Sequence, residues 1–325
     1  MSVSKQNGSL LKVEDLRVYF GKRRAPVRAV DGVSFSIQPG ESVGLVGESG
    51  CGKTTLGRAI MRLVDVHSGR IDFAGKDVAP LNNRELQAYR KRVQMIFQDP
   101  YGSLNARMSV GNAIQEVMQV HRMGGRAERR KRAQDLFHAV GLDPGYMDRY
   151  PHEFSGGQRQ RIGIARALAV DPQLIIADEP VSALDVSVQV QILNLMKDLQ
   201  QELNLAYLFI AHDLAVVRYI CDRILVMYLG KIVESGTPDK ILTRPTHPYT
   251  QALLSAVPDV DKGLKSRTEG SDRIVLKGDV PSPTRLIPGC PFHPRCPIAR
   301  DRCRSEIPEL REIRSGQWSA CHFAE

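Results

Sequence analysis

Short apolar runs and longer amphipathic stretches alternate along most of this chain. Two segments near the N-terminus, Leu11–Phe20 and Ala29–Ile37, have the alternation of apolar and polar residues that is typical of antiparallel strands. Compact apolar runs follow at Val43–Val46, Leu174–Ala177 and Ala206–Ile210, and they predict further strands of an α/β core. The pattern therefore predicts an α/β fold that begins with an antiparallel β patch.

Later patterns predict a hairpin and several helices. The stretch RILVMYLGKIVESG predicts a hairpin that turns at Leu229–Gly230. The basic run from Arg122 to Leu142 has an apolar side, so it predicts an amphipathic helix with a solvated charged face. The stretch SVQVQILNLMKDLQQEL predicts another amphipathic helix, whose apolar positions at near-helical spacing are Val190, Leu193, Met196 or Lys197, and Leu199.

The length and the order of these elements indicate more than one compact unit. A chain of 325 residues exceeds one typical domain. Helical patterns dominate residues 101–170, between two parts of the α/β pattern. We therefore expect a core formed by residues 1–100 and 171–242, an inserted helical subdomain at 101–170, and a C-terminal extension at 243–325.

Composition limits the cellular compartments and the kinds of binding partner that fit this chain. No apolar run reaches the roughly 18–20 residues that span a bilayer. The N-terminus MSVSKQNGSL lacks the apolar centre of a signal peptide, so we expect a cytoplasmic protein. The net charge of +9 is compatible with an anionic partner, either nucleic acid or the inner face of a membrane, and charge alone does not choose between them.

A glycine-rich loop after Val43–Val46 carries the first chemical motif. The segment GESGCGKT satisfies G-x-x-x-x-G-K-[ST], the pattern of a P-loop that cradles phosphates with backbone N–H groups. Lys53 is expected to reach the β- and γ-phosphates, and the Thr54 hydroxyl to ligate Mg²⁺. The core is thus predicted to be a P-loop NTPase (RecA-like) core. The loop by itself indicates only a nucleoside triphosphate, and the residues expected to bind it are Gly47, Glu48, Ser49, Gly50, Cys51, Gly52, Lys53, Thr54 and Thr55.

An acidic pair closes the apolar strand of LIIADEP. Asp178 is placed to hold the Mg²⁺ shell, because a carboxylate at a strand's end shares the sheet edge with the P-loop. Glu179 follows it and is expected to polarise a water for attack on the γ-phosphate. These two carboxylates are therefore predicted to be the Mg²⁺ ligand and the catalytic base.

The segment FSGGQRQRIGIARALAVDP predicts a second helix N-terminus whose backbone N–H groups could bind an anion. Ser155, Gly156, Gly157 and Gln158 lead into a helix expected from about Arg159 to Ala169, with Ser155 as its N-cap. This turn is more than a hundred residues from the P-loop. One chain seldom folds both onto the same phosphate, whereas two copies arranged head to tail can do so.

The ordered motifs GESGCGKT, FSGGQ, LIIADEP, SALD and AHD resemble those of the ATP-binding subunits of ABC transporters, over about Leu11–Ser235. The resemblance implies an ATPase in which the SGGQ segment of one subunit closes over ATP bound to the P-loop of another. It also implies roles for Gln98 as the glutamine that touches Mg²⁺ and water, for Asp185 as a coupling residue, and for His212 as the switch histidine that contacts the γ-phosphate.

The resemblance further implies that an aromatic residue stacks on adenine near the N-terminus. In LRVYFGK, the alternation places Leu16, Val18 and Phe20 on one side of a strand and Tyr19 on the other. Phe20 is the preferred adenine-stacking residue, and Tyr19 remains the alternative.

From Thr243 onward the chain resembles the proline-rich C-terminal extension of oligopeptide and dipeptide importer ATPases, in RPTHPYTQALLSAVP and GDVPSPTRLIPGCPFHPRC. The resemblance implies a second ABC ATPase subunit (a heterodimer is favoured), two permease subunits, an extracytoplasmic solute-binding protein, and a peripheral position on the cytoplasmic face of the membrane. Nickel and glutathione importers belong to the same group, so the solute stays open.

ABC ATPases that act on nucleic acid are the alternative class, and we expect no nucleic-acid partner. The interval of about a hundred residues between P-loop and SGGQ contains no heptads, unlike that of chromosome-maintenance ATPases. The chain also lacks the paired C-x-x-C knuckles that repair ATPases of this type carry. Only one cassette is present, whereas the translation type has two.

Four of the six cysteines lie near the C-terminus, at Cys290, Cys296, Cys303 and Cys321. Their spacing, C-x5-C-x6-C-x17-C, is wider than the knuckles of zinc ribbons, and cytoplasmic chains are rarely held by disulfides. Four thiolates suit a structural [4Fe–4S] cluster, while His293 and His322 lie near enough to complete a zinc site. Free, partly buried thiols are the third interpretation.

Overall fold

The computed structural model describes residues 8–21, 26–99, 101–256, 281–282, 284 and 286–325. The elements up to the middle of the chain are β1 (Leu11–Phe20), β2 (Val27–Ile37), β3 (Ser42–Val46), α1 (Lys53–Ile60), β4 (Ser68–Phe73), β5 (Lys76–Asp77), α2 (Asn83–Arg92), β6 (Val93–Ile96), α3 (Val110–Val120), α4 (Arg126–Ala139) and α5 (Gly156–Leu168). The later elements are β7 (Leu174–Asp178), α6 (Val186–Leu203), β8 (Ala206–Ala211), α7 (Leu214–Ile220), β9 (Arg223–Tyr228), β10 (Lys231–Gly236), α8 (Pro238–Thr243), α9 (Pro248–Ser255), α10 (Asp301–Ser305), β11 (Arg311–Arg314) and β12 (Gln317–Ser319).

The predicted antiparallel patch is confirmed as a sheet of its own, with strand order β2-β1-β4-β5. Strand β1 pairs antiparallel with β2 on one side and with β4 on the other. Leu11, Val13, Leu16 and Val18 of β1 are buried. They pack with α1 and the core strand β3 in one apolar cluster, which fixes the patch beside the P-loop.

The α/β core is built on a larger sheet with strand order β11-β12-β10-β9-β3-β8-β7-β6. Strand β3 lies between β8 and β9 and is parallel to both. Strands β8, β7 and β6 continue in parallel. Because parallel strands end at the same edge, the segments that follow β3, β6, β7 and β8 meet there. The hairpin of β9 and β10 turns at Leu229–Gly230, as the sequence predicts.

Helices α3, α4 and α5 lie within residues 101–170. The expected apolar stripe of α5 is confirmed, since Ile162, Ile164, Ala165 and Leu168 are all buried. The prediction for α6 is wrong at one position. Ile192 of α6 is buried, whereas Val190 keeps 49% of its surface exposed. The reason is that α6 packs on the core with the face that carries Leu193, Met196 and Leu199.

The C-terminal extension is joined to the core sheet. Strand β12 pairs antiparallel with β10, and the Ala320 N–H donates to the Val233 carbonyl at 2.8 Å. Phe292 packs against Tyr228 of the core and Tyr249 of α9, with ring centroids 5.2 and 5.5 Å away. The extension therefore shares both a sheet and a core with the ATPase fold. No helix among the described residues is long and apolar enough to cross a membrane.

Candidate functional site

A cavity of about 440 Å³ opens where the core strands end beside the β1–β2 patch. Of the residues predicted from the sequence, those that line it are Phe20, Ser49, Gly50, Gly52, Lys53, Thr54, Thr55, Gln98, Glu179 and His212. Val27 and Ala29 also line it, and the sequence analysis missed both. Val27 stands opposite Phe20 across the β1–β2 pair, and this register is set by the folded sheet.

A second cavity, of about 540 Å³, lies between β2 and the C-terminal extension. Its cationic side chains are already paired, Arg223 with Glu41 at 2.9 Å and Lys231 with Asp31 at 3.3 Å. The 440 Å³ cavity is the candidate functional site, because its lining carries the side chains that can bind phosphate, hold Mg²⁺ and move a proton.

The P-loop holds the Lys53 ammonium over the cavity floor. Its Nζ donates to the Gly47 carbonyl at 2.8 Å and to the Glu48 carbonyl at 3.0 Å. Gly52 precedes α1 with φ of 108°, and a Cβ there would lie 1.9 Å from the Ala29 carbonyl oxygen, so only glycine fits. Helix α1 begins at Lys53, and its N-terminal amides add to the positive potential at the cavity.

Thr54 and Asp178 meet beside this lysine. The Thr54 hydroxyl donates to Asp178 Oδ1 at 2.9 Å. Burial raises the pKa of the Asp178 carboxyl, as does the neighbouring Glu179 charge, while the hydrogen bond from Thr54 opposes the shift. A hydroxyl and a carboxylate are oxygen ligands of the kind Mg²⁺ prefers, and a divalent cation would favour the ionised carboxylate. The pair therefore fits the expected Mg²⁺ site.

Glu179 is held at the end of β7 in an unusual backbone conformation. Its φ is 46°, and its N–H donates to the Ile210 carbonyl at 2.9 Å. The side-chain oxygen Oε2 accepts a hydrogen bond from Gln98 Nε2 at 3.0 Å and lies 3.2 Å from His212 Nδ1. Two polar side chains thus orient one carboxylate that faces the cavity.

The two aromatic residues at the end of β1 have different surroundings. The expected alternation is interrupted, because the pairing with β2 shifts register between Val18 and Tyr19 and Phe20 is exposed whereas Leu16 and Val18 are buried. Phe20 lines the cavity and keeps 40% of its surface exposed. Tyr19 stacks on His67 with centroids 4.6 Å apart, and its hydroxyl donates to Asp31 Oδ1 at 2.5 Å. Burial and this hydrogen bond raise the pKa of Tyr19 to about 12. The geometry therefore favours Phe20 over Tyr19 as the adenine-stacking residue.

The SGGQ segment, Ser155–Gln158, is called the signature turn here. Its residues do not line the P-loop cavity of their own chain. Ser155 caps α5, since its Oγ accepts from the Gln158 N–H at 3.3 Å and its own N–H donates to Gln158 Oε1 at 2.9 Å. Gly156 and Gly157 form the first turn of that helix. Asp185 caps α6 and accepts from the Val188 N–H at 3.0 Å. The signature turn therefore does not contribute to the P-loop cavity of its own chain.

Three predicted P-loop residues turn away from the cavity. Cys51 is buried in the apolar cluster beneath the loop, and Gly47 contributes its carbonyl to Lys53. Glu48 points toward the C-terminal extension, where its carboxylate pairs with Arg295. The sequence analysis missed this contact, which joins residues 247 positions apart.

The four cysteines of the extension line one small cavity together with His293 and His322. All four are free thiols, and burial raises the pKa of Cys290 to about 11, with the neighbouring thiols adding to the shift. His293 Nδ1 lies 2.9 Å from the Cys290 carbonyl, and His322 Nε2 3.0 Å from the Glu306 carbonyl. In the described part of the chain, no three His, Cys, Asp or Glu side chains are placed to hold a metal ion, so neither metal prediction gains support from this geometry.

Two family models match the chain. Residues 30–182 match "ABC transporter", and residues 233–303 match "Oligopeptide/dipeptide transporter, C-terminal region". A Brucella ovis protein named as a peptide import ATP-binding protein is 53% identical, over 96% of this chain and 97% of its own length. The oligopeptide transport ATP-binding protein AppF of Bacillus subtilis is 51% identical, over 97% of both chains.

Solved structures agree with the fold. The ATP-binding cassette MJ0796, a dimer in a post-hydrolysis state bound to ADP and Pi, has a TM-score of 0.65 and 28% identity, covering 70% of this chain and 98% of that one. CbiO1 of Clostridium perfringens, part of the ABC transporter complex CbiONQ, has a TM-score of 0.65 and 28% identity, covering 73% of this chain and 91% of that one.

Proposed function

This chain belongs to the ABC transporter ATPases that carry an oligopeptide/dipeptide transporter C-terminal region, and from this premise we propose that it powers the import of di- and oligopeptides through separate permease subunits. One observation carries the proposal. The P-loop side chains and the Glu179 carboxylate line one cavity, in the same chain as an extension of the peptide-transporter type.

The side chains around the cavity have different roles in ATP hydrolysis. Lys53 and the P-loop amides bind the phosphates. Glu179 accepts a proton from the attacking water, and Gln98 and His212 hold its carboxylate in place. Thr54 and Asp178 would hold Mg²⁺, and the ion would supply positive charge that offsets the negative charge of the phosphates.

A second ATPase subunit is proposed to complete each site. Ser155 and Gln158 start α5 away from the P-loop cavity of their own chain, so a partner's signature turn has to supply this contact. The dimeric form of the MJ0796 cassette supports such an arrangement. Peptide importers commonly pair two different ATPases, and we propose a heterodimer with Asp185 at the coupling loop.

The remaining partners follow from the family. We propose two permease subunits in the membrane, an extracytoplasmic solute-binding protein that delivers the peptide, and a peripheral position for this chain on the cytoplasmic face. Gln98 lies at the junction of the core and the helical subdomain, a place from which the state of the ATP site can pass to a permease. Import of nickel or glutathione is the alternative function, and action on nucleic acid is the more distant one.

For the extension we propose that Cys290, Cys296, Cys303 and Cys321 hold a structural [4Fe–4S] cluster, with zinc as the alternative. The proposal starts from four cysteines that line one small cavity, although no three of them are placed to hold a single metal ion among the described residues. A four-iron cluster offers a separate iron to each thiolate, so its ligands surround a space and need not converge on a single ion. When bound, the cluster would supply cross-links to a segment that has little core of its own.

Uptake of labelled peptides by cells that lack the native gene tests the proposed function. Restoration of di- or oligopeptide uptake by the wild-type chain, but not by Glu179→Gln, is the expected result. Restoration of nickel or glutathione uptake instead would assign the alternative solute. Tight DNA binding at physiological salt, with no permease recovered from native membranes, would overturn a transport function.

A further inference from the structure

The C-terminal extension contacts the P-loop through an ion pair whose guanidinium side chain is buried and whose carboxylate side chain is partly exposed. Arg295, which lies between Cys290 and Cys296, donates from Nη1 to Glu48 Oε2 at 2.8 Å and from Nη2 to Glu48 Oε1 at 3.1 Å. The Arg295 side chain keeps only 8% of its surface exposed. Paired, parallel hydrogen bonds between guanidinium and carboxylate are among the strongest polar contacts in proteins and define a single geometry.

The same P-loop residue is also held through its backbone. The Glu48 N–H donates to the Tyr249 hydroxyl oxygen at 2.8 Å. Tyr249 is fully buried on α9 and packs on Tyr228, with ring centroids 4.6 Å apart. The Arg295 guanidinium lies 6.0 Å from the centre of the Tyr228 ring. The two residues that contact Glu48 are therefore both packed against the buried aromatic ring of Tyr228.

Glu48 connects this cluster to the phosphate-binding lysine. Its carbonyl accepts a hydrogen bond from Lys53 Nζ at 3.0 Å, whereas its side chain lies outside the lining of the ATP cavity. A displacement of Glu48 would move one acceptor of Lys53 and the loop amides beside it. The carboxylate thus affects the site through the loop's shape and not through contact with ATP.

We propose that Arg295 and Tyr249 are positioning residues of the ATP site, which hold Glu48 so that the P-loop keeps its phosphate-binding shape. The extension would then contribute to ATP binding, and loss of its contacts with Glu48 would lower the affinity for ATP. The inference rests on the proposed function only in taking ATP as the ligand of this cavity.

A double-mutant cycle separates this role from a purely structural one. The variants are Arg295→Gln, Glu48→Gln and the pair together, with Arg295→Lys as the conservative change. Arg302→Gln is the matched control, because it removes another cation of the extension whose partner, Glu306, lies 2.7 Å away on the surface. For each we would measure the KM for ATP, kcat, the binding of trinitrophenyl-ATP and the melting temperature.

Arg295→Gln is expected to raise the KM for ATP about tenfold while kcat changes by less than about threefold, because the loop binds phosphate alike in ground and transition states. In the Glu48→Gln background the same change should add less than about twofold, since the partner is already lost. Arg295→Lys should recover part of the affinity, and Arg302→Gln should leave it unchanged.

Two results would overturn the inference. One is an Arg295→Gln protein with a lower melting temperature but unchanged nucleotide affinity. The other is additive effects of the Arg295 and Glu48 changes. If the wild-type chain, assembled with its second ATPase subunit and the permeases, bound trinitrophenyl-ATP without hydrolysing ATP, the proposed function would fail while the binding measurements still tested the Arg295–Glu48 contact. If the Arg295→Gln variant does not fold, the same measurements of ATP affinity on Arg295→Lys and Glu48→Gln test the inference.

Discussion

His212 Nδ1 lies 3.2 Å from Glu179 Oε2, although 33 positions separate the two residues in the chain. The contact arises because β7 and β8 are neighbouring parallel strands with Asp178 opposite Ile210. The residues just beyond each strand therefore emerge at the same edge. A histidine and a carboxylate so placed form a proton-accepting group with a fixed orientation, which is what an attacking water requires.

The clearest prediction concerns this carboxylate. Glu179→Gln keeps an oxygen that can accept the hydrogen bond from Gln98 but removes the base, so ATP should bind normally while kcat falls by about a hundredfold or more. Phosphate release and trinitrophenyl-ATP binding measure the two effects. Glu202→Gln, an exposed change at the end of α6, is the control. Normal phosphate release by the Glu179 variant would remove this residue from its role.

A second prediction concerns the Mg²⁺ site. Asp178→Asn removes one charge from a buried position next to Thr54 and should raise the Mg²⁺ concentration for half-maximal hydrolysis by about tenfold or more. A titration of ATPase activity against Mg²⁺ measures the shift. Asp198→Asn, on the exposed side of α6, should not change it. An unchanged Mg²⁺ requirement in the Asp178 variant would show that other groups hold the ion.

The two aromatic residues at the end of β1 should differ in their effects. Phe20→Ala should raise the KM for ATP about fivefold, the equivalent of losing a stacking contact of roughly 1 kcal/mol. Tyr19→Phe should leave the KM unchanged but lower the free energy of unfolding by about 1 kcal/mol, because the hydrogen bond to Asp31 is lost. ATPase kinetics and urea unfolding separate these outcomes, and the reverse pattern would assign adenine to Tyr19.

The extension offers a spectroscopic prediction. Protein purified without oxygen should contain iron and absorb broadly in the blue, and Cys296→Ser should remove both signals. Cys221→Ser is the control, because Cys221 is buried in the core at the end of α7 and does not line the cavity of the tail cysteines. Colourless protein with stoichiometric zinc would favour the alternative metal. Protein free of both metals would leave the four residues as thiols.

Much of the site was predictable because its chemistry is local in sequence. The spacing of Gly47, Gly52 and Lys53 specifies a phosphate loop, and the acids after Leu174–Ala177 are adjacent to a strand end. The position of Val190 was not predictable in the same way. Several phases of the α6 pattern bury an apolar face, and only the packing of the helix on the core chose the one with Ile192 inside.

The sequence by itself determined the fold class and the phosphate-binding loop, because strand periodicity and short motifs depend on neighbouring residues. Its resemblance to a known family implied ATP as the nucleotide and the kind of transporter subunit. Tertiary structure decided which residues act on each other. Strand order alone brings Gln98, Glu179 and His212 to one oxygen, and the pairing of β12 with β10 carries the extension to the core, where Arg295 meets Glu48. Contacts between residues so distant in sequence have no local pattern, since they form only when separate elements pack.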